Sequence, residues 1–343
     1  MSERAIHFVG SIPGSGAQAV IRDSLRQAGS GVRSITDGET GERSRWIVHI
    51  IESFRRHPGF ELRRDGDWSS YDTASMFRLR RGYRLTAEDL DLGHVAAFQE
   101  SYPEFRRVRE ELGYDGVSFQ VGIPGDLDLA LFTFGVFGAF RHRRPFTEAL
   151  VQEITEIHRE AGSDVVFQIE IPAELVFMTK VPGPVRPAMA AFLSRGVRQL
   201  VREAPPGARF GVHLCVGDLG NKALGRLTDV RPLVRLAHAI VSRWPAEHPL
   251  EFVHAPFSGG DRPAPLDPRF YAALADLTLP PETRFVAGFV HERRSLAQLR
   301  ETLALIEDRY GRPVDVAAAC GLGRRTAEQA TANINLSREL RTT

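Results

Sequence analysis

Arg209-Phe210-Gly211-Val212-His213-Leu214-Cys215 is a short apolar run that closes on two side chains able to bind metal. It shows little polar alternation, as expected of a strand covered on both faces. The same form recurs along the chain, and strands are expected over 5–11, 31–37, 116–122, 164–171, 208–215, 249–254, 284–291 and 313–320. Amphipathic stretches such as 145–161, 185–203, 230–244, 268–277 and 295–310 lie between them. Eight strands alternating with helices predict an α/β chain of the (β/α)8 TIM-barrel class, with an open doubly wound sheet as the alternative. Residues 1–343 are expected to form one barrel domain with a long insertion after the second strand.

That insertion, 38–115, is too long for an ordinary connection. It is expected to hold a helix near 43–54, an irregular stretch over 55–85 and a second helix near 87–112. The irregular part carries Trp68, Tyr71, Phe77, Arg78, Arg80, Arg81, Tyr83 and Arg84. Three readings stay open: a solvated hairpin on the barrel rim, a lid over the site, or an arm reaching a second subunit in a homodimer.

Composition narrows the function. With 43% hydrophobic and 25% charged residues the chain has a globular balance. A net charge of +1 gives no nucleic-acid footprint and no basic membrane patch. No apolar run approaches the ~20 residues of a membrane span, and the first residues carry no signal region, so a cytoplasmic protein is expected. Two cysteines cannot build a disulfide scaffold.

In such barrels the chemistry sits at the C-terminal ends of the strands. Here those ends read Ser11, Asp37 with Glu39, Gly122, Glu170, His213 with Cys215, His254, His291 and Cys320. His213 and Cys215 are two apart, so on an extended strand they face the same way. Cys320 is followed by a Gly321-Leu322-Gly323 turn. Imidazole and thiolate are ligands zinc prefers, and His213, Cys215 and Cys320 are expected to share a Zn2+ ion. His254, at the end of the next strand, is the expected further donor. His291 is kept for acid–base work. Asp37 and Glu39 either face the mouth and bind an ammonium group or serve the first turn of the following helix. Glu170 ends an apolar strand and needs a ligand, a metal-site residue or an arginine to offset its burial. The turn at Ser11 offers amides and a hydroxyl to a carboxylate. A nucleotide P-loop and a hydrolase nucleophile elbow are both absent.

Taken in order, these segments resemble the catalytic barrel of cobalamin-independent methionine synthase, in the superfamily that also holds uroporphyrinogen decarboxylase and zinc thiol methyltransferases. Val9-Gly10-Ser11-Ile12-Pro13 resembles the family's opening segment. Asp37-Gly38-Glu39 with Glu42-Arg43, Gln168-Ile169-Glu170-Ile171-Pro172-Ala173, His213-Leu214-Cys215 and Cys320-Gly321-Leu322 resemble its later ones. The resemblance covers nearly the whole chain and is to the shorter, core-only members. It implies zinc-dependent transfer of a methyl or alkyl group to a small-molecule thiol, with a folate-type methyl donor among the candidates. By position, Glu39 and Glu170 would hold the ammonium group of an amino-acid-like acceptor. Ser11 would help bind its carboxylate, and His291 would protonate the departing nitrogen. The family's carboxylate zinc ligand falls at His254, so a centre of two thiolates and two imidazoles would be neutral. No tryptophan follows the third strand where the family stacks its pterin; Phe132 and Phe134 are the nearest aromatics. A lyase or decarboxylase on the same barrel, and a zinc-stabilised binding protein, remain the alternatives.

Overall fold

A computed structural model describes residues 4–220 and 222–342. The described residues form ten strands: β1 Ile6–His7, β2 Ser34–Ile35, β3 Phe60–Arg64, β4 Met76–Leu79, β5 Ser118–Pro124, β6 Val165–Glu170, β7 Arg209–His213, β8 Leu250–Pro256, β9 Arg284–Val290 and β10 Asp315–Ala318. Eight of them form one parallel sheet in the order β1-β10-β9-β8-β7-β6-β5-β2. A parallel bridge between Ile6 and Val32, with the Ile6 amide donating to the Gly31 carbonyl at 2.7 Å, brings its two ends together. Each barrel strand therefore lies beside its neighbours in chain order, and the sheet is a nearly closed (β/α)8 barrel.

Among the described residues nine α-helices surround it: α1 Ala17–Ala28, α2 Trp46–Ser53, α3 His94–Leu112, α4 Asp126–Ala161, α5 Pro172–Lys180, α6 Arg186–Glu203, α7 Arg231–Val241, α8 Leu296–Tyr310 and α9 Ala327–Arg341. Local chemistry sets their starts. Pro172 opens α5, where a missing N–H costs nothing. Ser295 with Gln298 and Thr326 with Gln329 close capping boxes on α8 and α9. α4 is bent at Gly135, whose φ of 74° suits glycine, and again at His142.

Two cores result. The larger lies between barrel and helices. Phe119, Phe167, Phe210 and Phe289 are fully buried there, each stabilising by ~2–3 kcal/mol through burial. The smaller fills the barrel interior with Val9, Val166, Phe252, Val286 and Ala317. Gly211 faces the Phe252 ring so closely that an added Cβ would lie 2.1 Å from it.

The insertion holds a hairpin that is solvated on one face only. β3 and β4 pair antiparallel, and Phe60, Phe77 and Trp68 are buried against the main core. Phe60 stacks on Phe54 and Phe134, with ring centroids 4.7 and 5.8 Å apart. The outer barrel strands are shorter than the sequence suggests. Ser11 and Asp37 lie past the ends of β1 and β2, where the chain turns out of the ladder. There the Ser11 carbonyl accepts the Leu322 and Gly323 amides at 2.6 and 2.8 Å.

Candidate metal centre

The register of β6, β7 and β8 sets Glu170 beside His213 and His213 beside His254. Cys215 follows two residues after the end of β7, and Cys320 two after the end of β10. Ligand atoms of His213, Cys215 and Cys320 all lie within 4.8 Å of one another. Cys320 Sγ is 4.0 Å from His213 Nε2. Among the described residues this is the one cluster of three or more such groups placed to hold a metal ion.

The tautomers follow from the hydrogen bonds. His254 Nε2 lies 3.0 Å from the Ala318 carbonyl oxygen, which can only accept, so Nε2 carries the proton. Burial pushes the His254 pKa down to about 4, so the ring is neutral and its Nδ1 is an acceptor. His213 Nδ1, 2.7 Å away, must then donate to it. Burial first, then His254, holds His213 well below its ordinary pKa, leaving it neutral with the Nε2 lone pair turned to the cysteines. This is the form of imidazole that binds metal. His254 was expected as a fourth donor. Both of its nitrogens are instead engaged, and it stands behind His213 rather than in the donor cluster. Gly288 makes room for it, since a Cβ there would lie 2.6 Å from His254 Nε2.

The cysteines are free. Cys215 is buried, and Cys320 first, then burial, push its thiol well above the ordinary value. Arg324 stands 3.8 Å from Cys320 Sγ, 3.0 Å from the buried Asp218 carboxylate and 3.3 Å from the Ser44 carbonyl. Asp218 and Arg324 were not singled out from sequence. Their signal was proximity alone, three residues after Cys215 and four after Cys320.

One chamber opens onto the cysteines, and a second shares Trp46 and Glu170 with it. The larger, about 1150 Å³ with its open mouth, is lined by Cys215, Cys320, Trp46, Trp68, Tyr71 and Phe132 among others. The smaller, about 480 Å³, is lined by Glu39, Arg43, His49, His94 and Glu170. Glu39 and Glu170 are buried and face each other across Gly122, where a Cβ would sit 3.0 Å from Glu39 and 3.3 Å from Glu170. Burial first, then Glu170, pushes Glu39 up to about 8. Burial first, then the Cys320 sulfur, does the same to Glu170. Gln168 donates to Glu170 at 2.9 Å and fixes its rotamer from the barrel interior. Glu39 sits at φ 44°, an uncommon conformation for a side-chain residue. Asp37 holds it there by accepting the Glu39 amide at 2.9 Å.

The remaining expected residues have other places. Asp37 is tied to Arg43 at 2.7 Å and Ser101 at 2.9 Å, which fits the turn-forming reading. Ser11 is packed beneath the Gly321–Gly323 turn, where added Cβ atoms would each come 2.6 Å from it. His291 is buried beside Glu292 at 3.4 Å and takes the Arg293 amide at 3.2 Å; it lines neither chamber. His94 lines the polar chamber instead, with Nδ1 bonded to Glu153. Of the two phenylalanines, Phe132 lines the large chamber and Phe134 is in the core.

No family model matches the chain, and no curated protein matches it. Solved structures do. One is described as a vitamin-B12-independent methionine synthase from Listeria monocytogenes, at 13% identity and a TM-score of 0.58, covering 99% of this chain and 98% of that one. Another is a methyltransferase from Methanosarcina mazei, at 13% identity and a TM-score of 0.50, covering 99% and 94%. At that identity the likeness shows the fold, a helix-surrounded barrel shared along almost the full length of each chain.

Proposed function

We propose that this protein is a zinc-dependent alkyltransferase, of the methionine synthase-like kind, that moves a methyl or other alkyl group to a small-molecule thiol. The observation that carries this reading is the neutral His213 Nε2 lone pair facing two cysteine sulfurs at the mouth of the barrel. The donor set suits zinc: one imidazole and two thiolates, three protein ligands that leave a fourth position for substrate. When bound, zinc would lower the pKa of the substrate thiol and hold it as thiolate at neutral pH.

The chain's own residues supply the rest. His254 orients His213 and keeps its Nδ1 protonated. Glu39 and Glu170 offer a buried carboxylate pair to an ammonium group in the polar chamber, so the acceptor is an amino thiol. Arg324, beside Cys320, holds positive charge near the sulfurs and is itself held by Asp218. Trp46 stands between the chambers and separates acceptor from donor. His94, oriented by Glu153, lines the polar chamber and would exchange protons with a bound acceptor.

The test is metal content followed by thiol alkylation. Purified protein should carry about one zinc per chain, and Cys320→Ser should lose it. Zinc-loaded protein should consume an amino thiol in the presence of an activated alkyl donor. Protein that binds no zinc at stoichiometric addition would sink the proposal.

A further inference from the structure

The large chamber has a chemistry of its own. Its walls are Trp46, Trp68, Tyr71, Leu131, Phe132 and Val176, and its floor holds Cys215 and Cys320. The aromatic walls are built as a unit, with Phe132 6.0 Å from Tyr71 and 6.2 Å from Trp68. The polar atoms of these walls are turned to protein partners. Trp68 Nε1 donates to Glu52 at 2.6 Å, and Tyr71 Oη accepts the Leu219 amide at 3.1 Å. Asp218 faces Arg324 at 3.0 Å, and Arg324 also bonds the Ser44 carbonyl. The aromatic walls leave few polar atoms free for a ring carrying several nitrogens and oxygens, which would lose most of its bonds to water there without replacement; Asp128 Oδ2 is one lining oxygen left without a partner among the described residues.

The rim differs from the walls. Val136 and Leu224 line the chamber and are 48% and 37% exposed. Beside them stand Lys180 and Arg45, both exposed, and neither forms an ion pair among the described residues. The chain has 44 basic residues, of which only Lys180 and Lys222 are lysines. Both belong to segments at this mouth, Lys222 in the loop whose residues 217–220 and 224 line it. The carboxylates that line the chamber, Glu170, Asp128 and Asp218, have buried side chains, and Asp218, on the mouth loop, is neutralised by Arg324 at 3.0 Å. The mouth is therefore cationic and the passage to the sulfurs apolar.

We infer that the co-substrate entering by this chamber is an amphiphilic organic anion: an aromatic or branched-alkyl body seated between Trp68, Tyr71 and Phe132, with a carboxylate or similar anionic end at Lys180 and Arg45. The inference rests on the proposed alkyl transfer only in naming the occupant a co-substrate. The chamber's preference stands without it. Pterin-type donors are disfavoured because the aromatic walls offer their ring heteroatoms few partners beyond the Asp128 carboxylate.

Trp46 and Trp68 line the chamber, whereas Trp244 packs against Phe210 and bonds the His248 carbonyl. Two of the three tryptophans therefore report occupancy by fluorescence. The probes are phenylacetate, 3-phenylpropionate, 4-phenylbutyrate, the neutral alcohol 4-phenylbutanol, and folic acid, each titrated into zinc-loaded and into chelated full-length protein. Affinity should rise about fourfold per added methylene until the chamber is filled. It should exceed that of folic acid and keep its length dependence after chelation. Lys180→Gln should weaken the acids about two- to fivefold and leave the alcohol unchanged. Leu131→Gln, checked for fold by circular dichroism, should weaken the whole series. A flat series, no quenching by any probe, tighter binding of folic acid, or equal effects of Lys180→Gln on acid and alcohol would each overturn the inference. Protein that takes up no zinc at stoichiometric addition yet shows the series would sink the alkyl-transfer reading and leave this one intact. Zinc-loaded protein with a flat series would do the reverse.

Discussion

His213 Nδ1 lies 2.7 Å from His254 Nδ1, and the two rings form one proton-ordered unit that ends on the Ala318 carbonyl. Removing the outer ring frees His213 to rotate and to take the other tautomer, without removing a ligand. His254→Ala is therefore expected to weaken zinc about 10- to 100-fold, against near-complete loss in His213→Ala. Gly288→Ala should act in the same direction, because its Cβ would press on His254 Nε2 at 2.6 Å. Competition with a chromophoric chelator measures all three. Loss in His254→Ala as complete as in His213→Ala would make His254 a direct ligand.

The sulfurs make a second, optical prediction. Cobalt in place of zinc should give thiolate-to-metal charge-transfer absorption from both cysteines. Cys215→Ser and Cys320→Ser should each remove roughly half of that intensity, if they retain cobalt at all. Adding a substrate-like thiol to the native cobalt protein should raise it again, since three protein ligands leave a position open. Absorption that does not change with any thiol would indicate a saturated, structural site.

Glu39 and Glu170 set the pH at which an ammonium group binds. Both carboxyls are pushed up to about 8 in the empty chamber, so near neutrality they hold protons that a cationic ligand must displace. Affinity for a thiol-free amino acid such as methionine should rise with pH, by up to about tenfold per unit for one displaced proton, and level off near 8. A bound divalent cation would move the plateau down, because it adds positive potential beside Glu170. Calorimetry in buffers of different ionisation enthalpy should detect the released proton. Glu39→Gln should abolish most of that release; an unchanged proton count would exclude Glu39 from the site.

The barrel was legible because most of its strands are apolar runs followed by a polar residue, a pattern that survives without any partner sequence, although β1 and β2 are only two residues each. The donor triad was legible for a local reason, the two-residue spacing of His213 and Cys215, joined to the glycine turn that frees Cys320. The role of His254 was not, since strand position says which residues come together but not which ring nitrogen faces which neighbour. The chamber walls were less legible still. Trp68 and Tyr71 come from a stretch with no helical or strand period, and their burial depends on a hairpin that packs on α4 only once the barrel exists. Asp128 and Glu174 lie on different helices, and nothing in their spacing foretells that they meet.

That meeting has a consequence for stability. Asp128 and Glu174 are fully buried side by side at the starts of α4 and α5, and Asp128 Oδ2 and both Glu174 oxygens lack hydrogen-bond partners among the described residues. Asp128 Oδ1 takes the Ala173 amide at 2.8 Å, and Arg143 comes to 3.8 Å of Glu174. Burial pushes Glu174 up to about 7 and, with the Glu174 charge adding to it, raises Asp128 well above its ordinary value. An acid whose folded pKa exceeds its unfolded one binds more protons when folded. Its contribution is full below the unfolded value of about 4.5 and is lost as pH rises towards 7, a total on the order of 3 kcal/mol for Glu174. Glu174→Gln removes this charge and supplies an amide donor to Asp128. The variant should therefore lose less thermal stability than the native protein between pH 5 and 8, with the two melting curves converging at the acid end. Parallel Tm profiles across that range would show that the pair ionises freely and that its burial is relieved by water.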